Sequence, residues 1–184
     1  MLENREPQPI IALVDAQYEN DDARAACLTA LGWQAATALE EHTVDVHGVA
    51  AYQPGRFFER ELPCLTRALA LLSHEPALII VDGYVVLDAA GTPGLGSYVF
   101  EHFGGRIPVV GIAKHAYRGS DFAVPVRRGG SLRPLFITAR GISSQAAAHE
   151  VERMHGVHRI PTLCKRVDQL ARGLVAPTRR SSEC

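Results

Sequence analysis

Cysteine is scarce in this chain and scattered along it. Cys27, Cys64, Cys164 and Cys184 form no Cys-x-x-Cys pair. That argues against a structural zinc site of the ribbon or finger type and leaves isolated reduced thiols as the reading. Long apolar runs are also missing, and none approaches the ~20 residues a membrane span needs. The opening residues, Met1-Leu2-Glu3-Asn4-Arg5-Glu6-Pro7, lack the basic and apolar regions of a signal peptide, so the expectation is a cytoplasmic protein. No internal repeat or low-complexity segment is visible. Lysine is nearly absent: 17 of the 19 basic residues are arginine, whose planar guanidinium suits phosphate contacts.

What is present is an ordinary core-forming composition, 47% hydrophobic and 21% charged over 184 residues, enough for one domain with a real core. The expected organisation is a short N-terminal extension (1–8), a single domain (9–176) and a flexible tail (177–184). The net charge of −1 conceals an asymmetry: residues 1–105 carry 5 basic and 15 acidic side chains, residues 106–184 carry 14 and 5. A polyanionic ligand approaching the basic portion would fit that distribution, as would interleaved solvated faces.

Apolar runs and turn residues predict strands at 10–18, 23–30 and 34–46, the first three forming a meander across the turn Glu19-Asn20-Asp21-Asp22. Alanine in the second run leaves a helix there as the alternative. Apolar positions Phe57, Leu62, Leu65, Leu69 and Leu72 predict an amphipathic helix within 56–74, started or kinked at Pro63. Further strands are expected at 77–82, 107–114, 122–126 and 134–138, the last two as a hairpin. A glycine-rich loop at 91–96 leads to a short helix over 97–103. Ser143 is placed to cap a helix reaching 155, and a last helix runs from 163 to 174. The order implies an α/β fold with a mixed central sheet and flanking helices.

In two of those strands the apolar run closes on an acid. Asp15 closes Ile10-Ile11-Ala12-Leu13-Val14, and Asp82 closes Ala77-Leu78-Ile79-Ile80-Val81 and precedes Gly83. A carboxylate at the end of a buried strand is costly unless it is paired or binds a cation, although many such aspartates serve only as caps. Lys114 ends a third strand at the same rim, where open α/β sheets place their ligand sites. Glu61 and Asp168 supply further carboxylates from helices. Mg²⁺ held by such carboxylates, with Mn²⁺ as a substitute, would activate water and stabilise a leaving alkoxide in phosphodiester hydrolysis. The eight histidines, at 42, 47, 74, 102, 115, 149, 155 and 158, form no convincing ligand pair.

Several segments, taken in order, resemble the endonuclease V family. They are Ile11-Ala12-Leu13-Val14-Asp15-Ala16-Gln17-Tyr18, Tyr52-Gln53-Pro54-Gly55 with Arg60-Glu61-Leu62-Pro63, Ile80-Val81-Asp82-Gly83, and Val110-Gly111-Ile112-Ala113-Lys114. Arg133-Pro134-Leu135-Phe136-Ile137 looks like a later strand of that family. Arg159-Ile160-Pro161 looks like the start of its last helix, with Asp168 seven residues beyond the proline. The resemblance implies a ribonuclease-H-like fold and a Mg²⁺-dependent endonuclease that nicks DNA or RNA near inosine, on single-stranded or lesion-containing substrate. It implies metal binding by Asp15, Asp82 and Glu61, catalytic roles for these three with Lys114 and Asp168, and substrate contacts from Tyr52, Pro54, Gly55 and Gly83. Tyr52 with Pro54 and Gly55 would fill the gap left by a flipped base. Arg118, Arg127, Arg128 and Arg140 would contact the nucleic-acid backbone.

The chain departs from that pattern after Asp82-Gly83. Tyr84-Val85-Val86-Leu87-Asp88 replaces a second glycine and a histidine-proline-arginine stretch, with Asp88 near the histidine's place. Val85, Val86 and Leu87 would then give an apolar pocket wall. Two alternatives stand beside the main reading: a relative that binds nucleic acid or a partner without cutting, and a nuclease redirected to another lesion.

Overall fold

Alternating side chains in the central strands are buried on two opposite faces, and this two-sided burial organises the molecule. The structure, a computed structural model, describes residues 8–50, 57–117 and 120–178. Strands β1 (Ile10–Glu19), β2 (Asp22–Leu31) and β3 (Glu40–His47) form an antiparallel meander. β4 (Leu78–Asp82) and β5 (Val109–Ala113) add to β1 in parallel, and β7 (Leu135–Arg140) and β6 (Val124–Val126) complete the sheet antiparallel. The strand order is β3-β2-β1-β4-β5-β7-β6. Along β1, Ile11 and Leu13 enter one core while Ala12 and Val14 enter the other; along β4, Leu78 and Ile80 part from Ile79 and Val81 in the same way. Strands buried on both faces read as continuous apolar runs for this reason.

Helices α1 (Phe57–Leu69) and α2 (Leu95–His102) cover one face, α3 (Ser144–Arg153) and α4 (Thr162–Ala171) the other. Ser143 caps α3, its Oγ accepting from the Ala146 amide at 3.0 Å. The alanines of β2 resolve to strand because β2 pairs with β1 along its whole length, and their small side chains admit helices on both faces: Ala23 and Ala25 toward α1, Ala26 and Ala30 toward α4. Pairing and burial here outweigh helix propensity.

Several boundaries differ from the sequence reading. Residues 34–39 form a turn-rich connection, and β3 begins only at Glu40. α1 runs through Pro63 at the cost of one helical amide. Leu95 and Gly96 already belong to α2, and α4 stops at Ala171. Thr178, read from sequence as tail, is held by Glu41: its amide donates to Oε2 at 2.7 Å.

Candidate active site

The two-residue period of the strands sets the site. Asp15 continues the row of Ile11 and Leu13, Asp82 the row of Leu78 and Ile80, and Lys114 the row of Val110 and Ile112. All three side chains therefore emerge on the face that α4 covers: Asp82 ends β4, Lys114 follows β5, and Asp15 lies within β1 just past its last pairing with β4 at Val14. On α4, Leu163, Val167 and Leu170 are buried against that face, which brings Asp168 to the same point. One oxygen from each of Asp15, Asp82 and Asp168 lies within 4.8 Å of the others. Lys114 Nζ donates to Asp82 Oδ2 at 2.6 Å and stands 3.7 Å from Asp168 Oδ1.

The floor of the site is apolar. Leu13, Val14, Ile80, Ile112, Val167 and Cys164 line a cavity of about 30 Å³ beneath Asp15, Asp82 and Lys114. Burial in this floor, then the charge of Asp82, pushes the Asp15 carboxyl up to about 7, against the opposing hydrogen bond from the Ala16 amide (2.8 Å) and the charge of Lys114. Burial works against the Lys114 ammonium as well. Its hydrogen bond to Asp82 and the charges of Asp82, Asp168 and Asp15 outweigh that and raise it above the ordinary lysine range.

Glu61 comes from α1, on the opposite face of the sheet, and is not one of the three converging carboxylates. It is close enough to feel them: burial, then Asp15 and Asp82, push its carboxyl up to about 8. Gly83 follows Asp82 at the rim with φ +114, and the space where a Cβ would project is open. Tyr52, Pro54, Gly55 and Arg118 lie outside the described residues.

In the segment after Gly83, Val85 does not join the expected wall. Val85 is fully buried against Gly96, its amide donating to Thr138 Oγ1 at 2.8 Å. Val86 bridges to Pro93, and Asp88 Oδ2 and Oδ1 accept from the Thr92 hydroxyl (2.5 Å) and amide (2.9 Å). Val85 is therefore core, and the Asp88 carboxylate closes its own turn. Two of the arginines expected on a nucleic-acid backbone are engaged elsewhere. Arg128 is only 7% exposed and donates to backbone carbonyls, because a buried guanidinium must satisfy all its donors within the protein. Arg140 is paired with Glu101 at 3.0 Å.

Two positioning arginines escaped the sequence reading. Arg172 Nε meets Asp168 Oδ2 at 3.0 Å, one helical turn away; the i,i+4 spacing could have found it. Arg159 donates to the carbonyls of Lys114, of Pro134 (2.9 Å) and of Arg133 (3.0 Å), a long-range clustering that no local pattern announces.

Comparison with known proteins agrees with this geometry. A family model described as Endonuclease V matches residues 1–160. Endonuclease V of Xanthomonas axonopodis pv. citri is 37% identical over 132 residues, 70% of this chain and 53% of that protein. The chain spans about half the length of the curated relatives it matches. Among solved structures, endonuclease V of Streptomyces avermitilis superposes with a TM-score of 0.71 at 23% identity, covering 95% of this chain and 86% of that one. Endonuclease V of Ciona intestinalis, solved with a 23mer DNA containing an inosine followed by a ribo-adenosine, superposes with a TM-score of 0.72 at 15% identity, covering 90% and 85%. These likenesses make the fold ribonuclease-H-like. With the family model matched over most of its length, the chain belongs to the endonuclease V family.

Proposed function

We propose that this chain, with 9–176 as one catalytic domain, is a divalent-metal-dependent endonuclease that hydrolyses a phosphodiester bond in DNA or RNA near a deaminated base, inosine. The observation that carries the reading is the convergence of Asp15, Asp82 and Asp168 beside Lys114. The donor set fits a hard cation, since all three ligands are carboxylate oxygens and no described thiol or imidazole joins them. Asp15, half-buried and pushed up to about 7, is a carboxylate in want of a counter-cation.

Asp15, Asp82 and Asp168 would hold Mg²⁺ or Mn²⁺, which when bound supplies a water of lowered pKa and charge neutralisation at the phosphate. Lys114 then stabilises charge on the scissile phosphate. Glu61, reaching the cluster from the other face, would orient the attacking water and, ionised beside the bound cation, take its proton. Arg172 holds Asp168 in orientation. Gly83, bare on its outer side, lets a nucleotide approach the backbone closely, and Tyr52 with Pro54 and Gly55 would fill the gap left by the flipped base. Free Cys27, Cys64 and Cys164 suit a reducing, cytoplasmic setting. No described helix is long and apolar enough to cross a membrane.

The deciding experiment is cleavage of end-labelled single-stranded DNA and RNA, with and without one inosine, in Mg²⁺ and in Mn²⁺, with Asp82→Ala as control. A metal-dependent nick beside inosine that the variant lacks is expected. Absence of metal-dependent cutting on every substrate would overturn the reading. The self-closed 84–93 turn favours one second reading, a nuclease redirected to another base. Cutting that ignores inosine would select it.

A further inference from the structure

Away from the carboxylates, two neighbouring loops combine features that rarely occur together. The first joins β6 to β7, and the second joins α3 to α4. Stretches 127–133 and 153–159 hold arginine, histidine, glycine and apolar residues, and no acid. Each loop displays one bare aliphatic side chain: Leu132 is 85% exposed and Val157 80%. Singly, exposed aliphatics carry no message. Here the loops that bear them are tied to each other through their backbones.

The lock is Arg128. From its buried position its guanidinium donates to the carbonyls of Glu152 (3.1 Å), Met154, Gly156 (3.2 Å), His158 (3.1 Å) and Arg159 (3.3 Å). Next to it Gly129 has φ +59, and a Cβ there would lie 2.5 Å from the Val157 carbonyl oxygen and the His158 carbonyl carbon. The turn backbone thus rests directly on the loop backbone, at an approach only glycine allows.

Around this rigid support Arg127, Arg133 and Arg153 are exposed, and no described carboxylate pairs with any of them. Arg24, Arg106, Arg140, Arg166 and Arg172, by contrast, each face an acid. The ridge is also continuous with the catalytic rim, because Arg159 donates to the carbonyls of both Arg133 and Lys114.

We propose that these two loops form a rigid docking ridge for single-stranded nucleic acid: Arg127, Arg133 and Arg153 contact phosphates, and Leu132 and Val157 pack against unstacked bases. The choice of occupant rests on the nuclease reading above and on the unpaired positive charge, which a polyanion complements.

The test measures affinity of the full chain for a labelled single-stranded oligonucleotide, in metal-free buffer so that nothing is cut, across a range of salt. The combined variant Arg127→Ala, Arg133→Ala, Arg153→Ala should weaken binding at least ~10-fold at low salt and reduce the slope of log affinity against log salt by about 2, the loss of three phosphate contacts at about 0.7 each. Leu132→Ser with Val157→Ser should weaken binding several-fold and leave the slope unchanged. All five side chains are exposed, so melting temperatures should match the wild type. Unchanged affinity and slope in both variants would overturn the ridge even if the wild type cleaves, leaving the nuclease reading in place. Wild-type binding that the variants weaken, without cleavage in metal, would keep the ridge and remove the nuclease. If the triple variant loses binding to anionic lipid vesicles but keeps its oligonucleotide affinity, the surface belongs to a membrane and the proposal fails.

Discussion

Lys114 Nζ sits 2.6 Å from Asp82 and 3.7 Å from Asp168, so a single ammonium bridges two of the three carboxylates that converge at the sheet rim. It offsets their mutual repulsion before any cation arrives, and it remains beside the phosphate afterwards. Lys114→Met should therefore have two separable effects. Cleavage should fall about 100- to 1,000-fold, the scale of losing one preorganised charge in a dry site. The gain in melting temperature on adding Mg²⁺ should grow, because the metal then relieves repulsion that the lysine no longer offsets. Scanning fluorimetry with and without Mg²⁺ reads the second effect, and a gain equal to the wild type's would show that Lys114 does not neutralise the cluster.

The pH dependence of stability should run opposite to that of a protein held by ordinary ion pairs. Burial and neighbouring charge push Asp15 up to about 7 and Glu61 up to about 8, well above unfolded values near 4. An acid raised in the native state favours folding while protonated. That contribution is complete below the unfolded pKa and is lost as pH rises through about 7 and 8. Metal-free protein should lose on the order of 1 kcal/mol per pH unit across this window. A bound cation favours the charged forms, so Mg²⁺ should flatten the slope, and Asp15→Asn should flatten it without metal. A metal-free melting temperature that rises steadily between about pH 5 and pH 8 would contradict this assignment.

The rim was legible because the apolar runs that lead to it are written locally. Unbroken apolar runs stop at Asp15, Asp82 and Lys114, and the two-residue period places the side chains on a common face, although only Asp82 ends its strand: β1 continues to Glu19 and β5 stops at Ala113. Which helical carboxylate joins them is not written locally. Glu61 and Asp168 both lie on helices with an apolar stripe. Only the packing of α4 over β1 and β2 brings Asp168 onto their face, while α1 keeps Glu61 on the other. The same limit explains Arg128. A run of two arginines before two glycines reads as a solvated turn, and nothing nearby in the chain signals that five carbonyls from beyond residue 150 will surround one of them. Val85 was misread for a related reason: it breaks a family glycine pattern, yet its position against Gly96 makes it core.

Arg159 and Arg128 hold the same region but should fail differently. Arg159 binds the carbonyl of Lys114, so Arg159→Ala should lower kcat more than stability, with Lys114 no longer aimed. Arg128→Ala strands five carbonyls and leaves a buried gap, and should cost about 3 kcal/mol or more by leaving buried acceptors unsatisfied. Urea denaturation beside single-turnover cleavage separates the two. Equal stability losses with equal rates would show that neither arginine positions the lysine.

Glu41 anchors the helix that carries Asp168. Its carboxylate accepts from Arg166 Nε at 2.8 Å and Nη2 at 2.7 Å, and from the Thr178 amide at 2.7 Å, and its side chain is only 4% exposed. The hydrogen bonds from Arg166 hold the Glu41 carboxyl below the usual range, so the stability it contributes is present at neutral pH and lost as pH falls through that lowered value. Arg166→Met removes one partner and leaves a buried charge, which should cost about 3 kcal/mol and move acid unfolding to higher pH. Because Arg166 lies two residues before Asp168 on α4, the same variant should need more Mg²⁺ for half-maximal cleavage. Replacing both partners, Glu41→Leu with Arg166→Met, should recover much of the stability, since no charge is then stranded. If the double variant is as unstable as the single one, the pair is not the element that fixes α4 against β3.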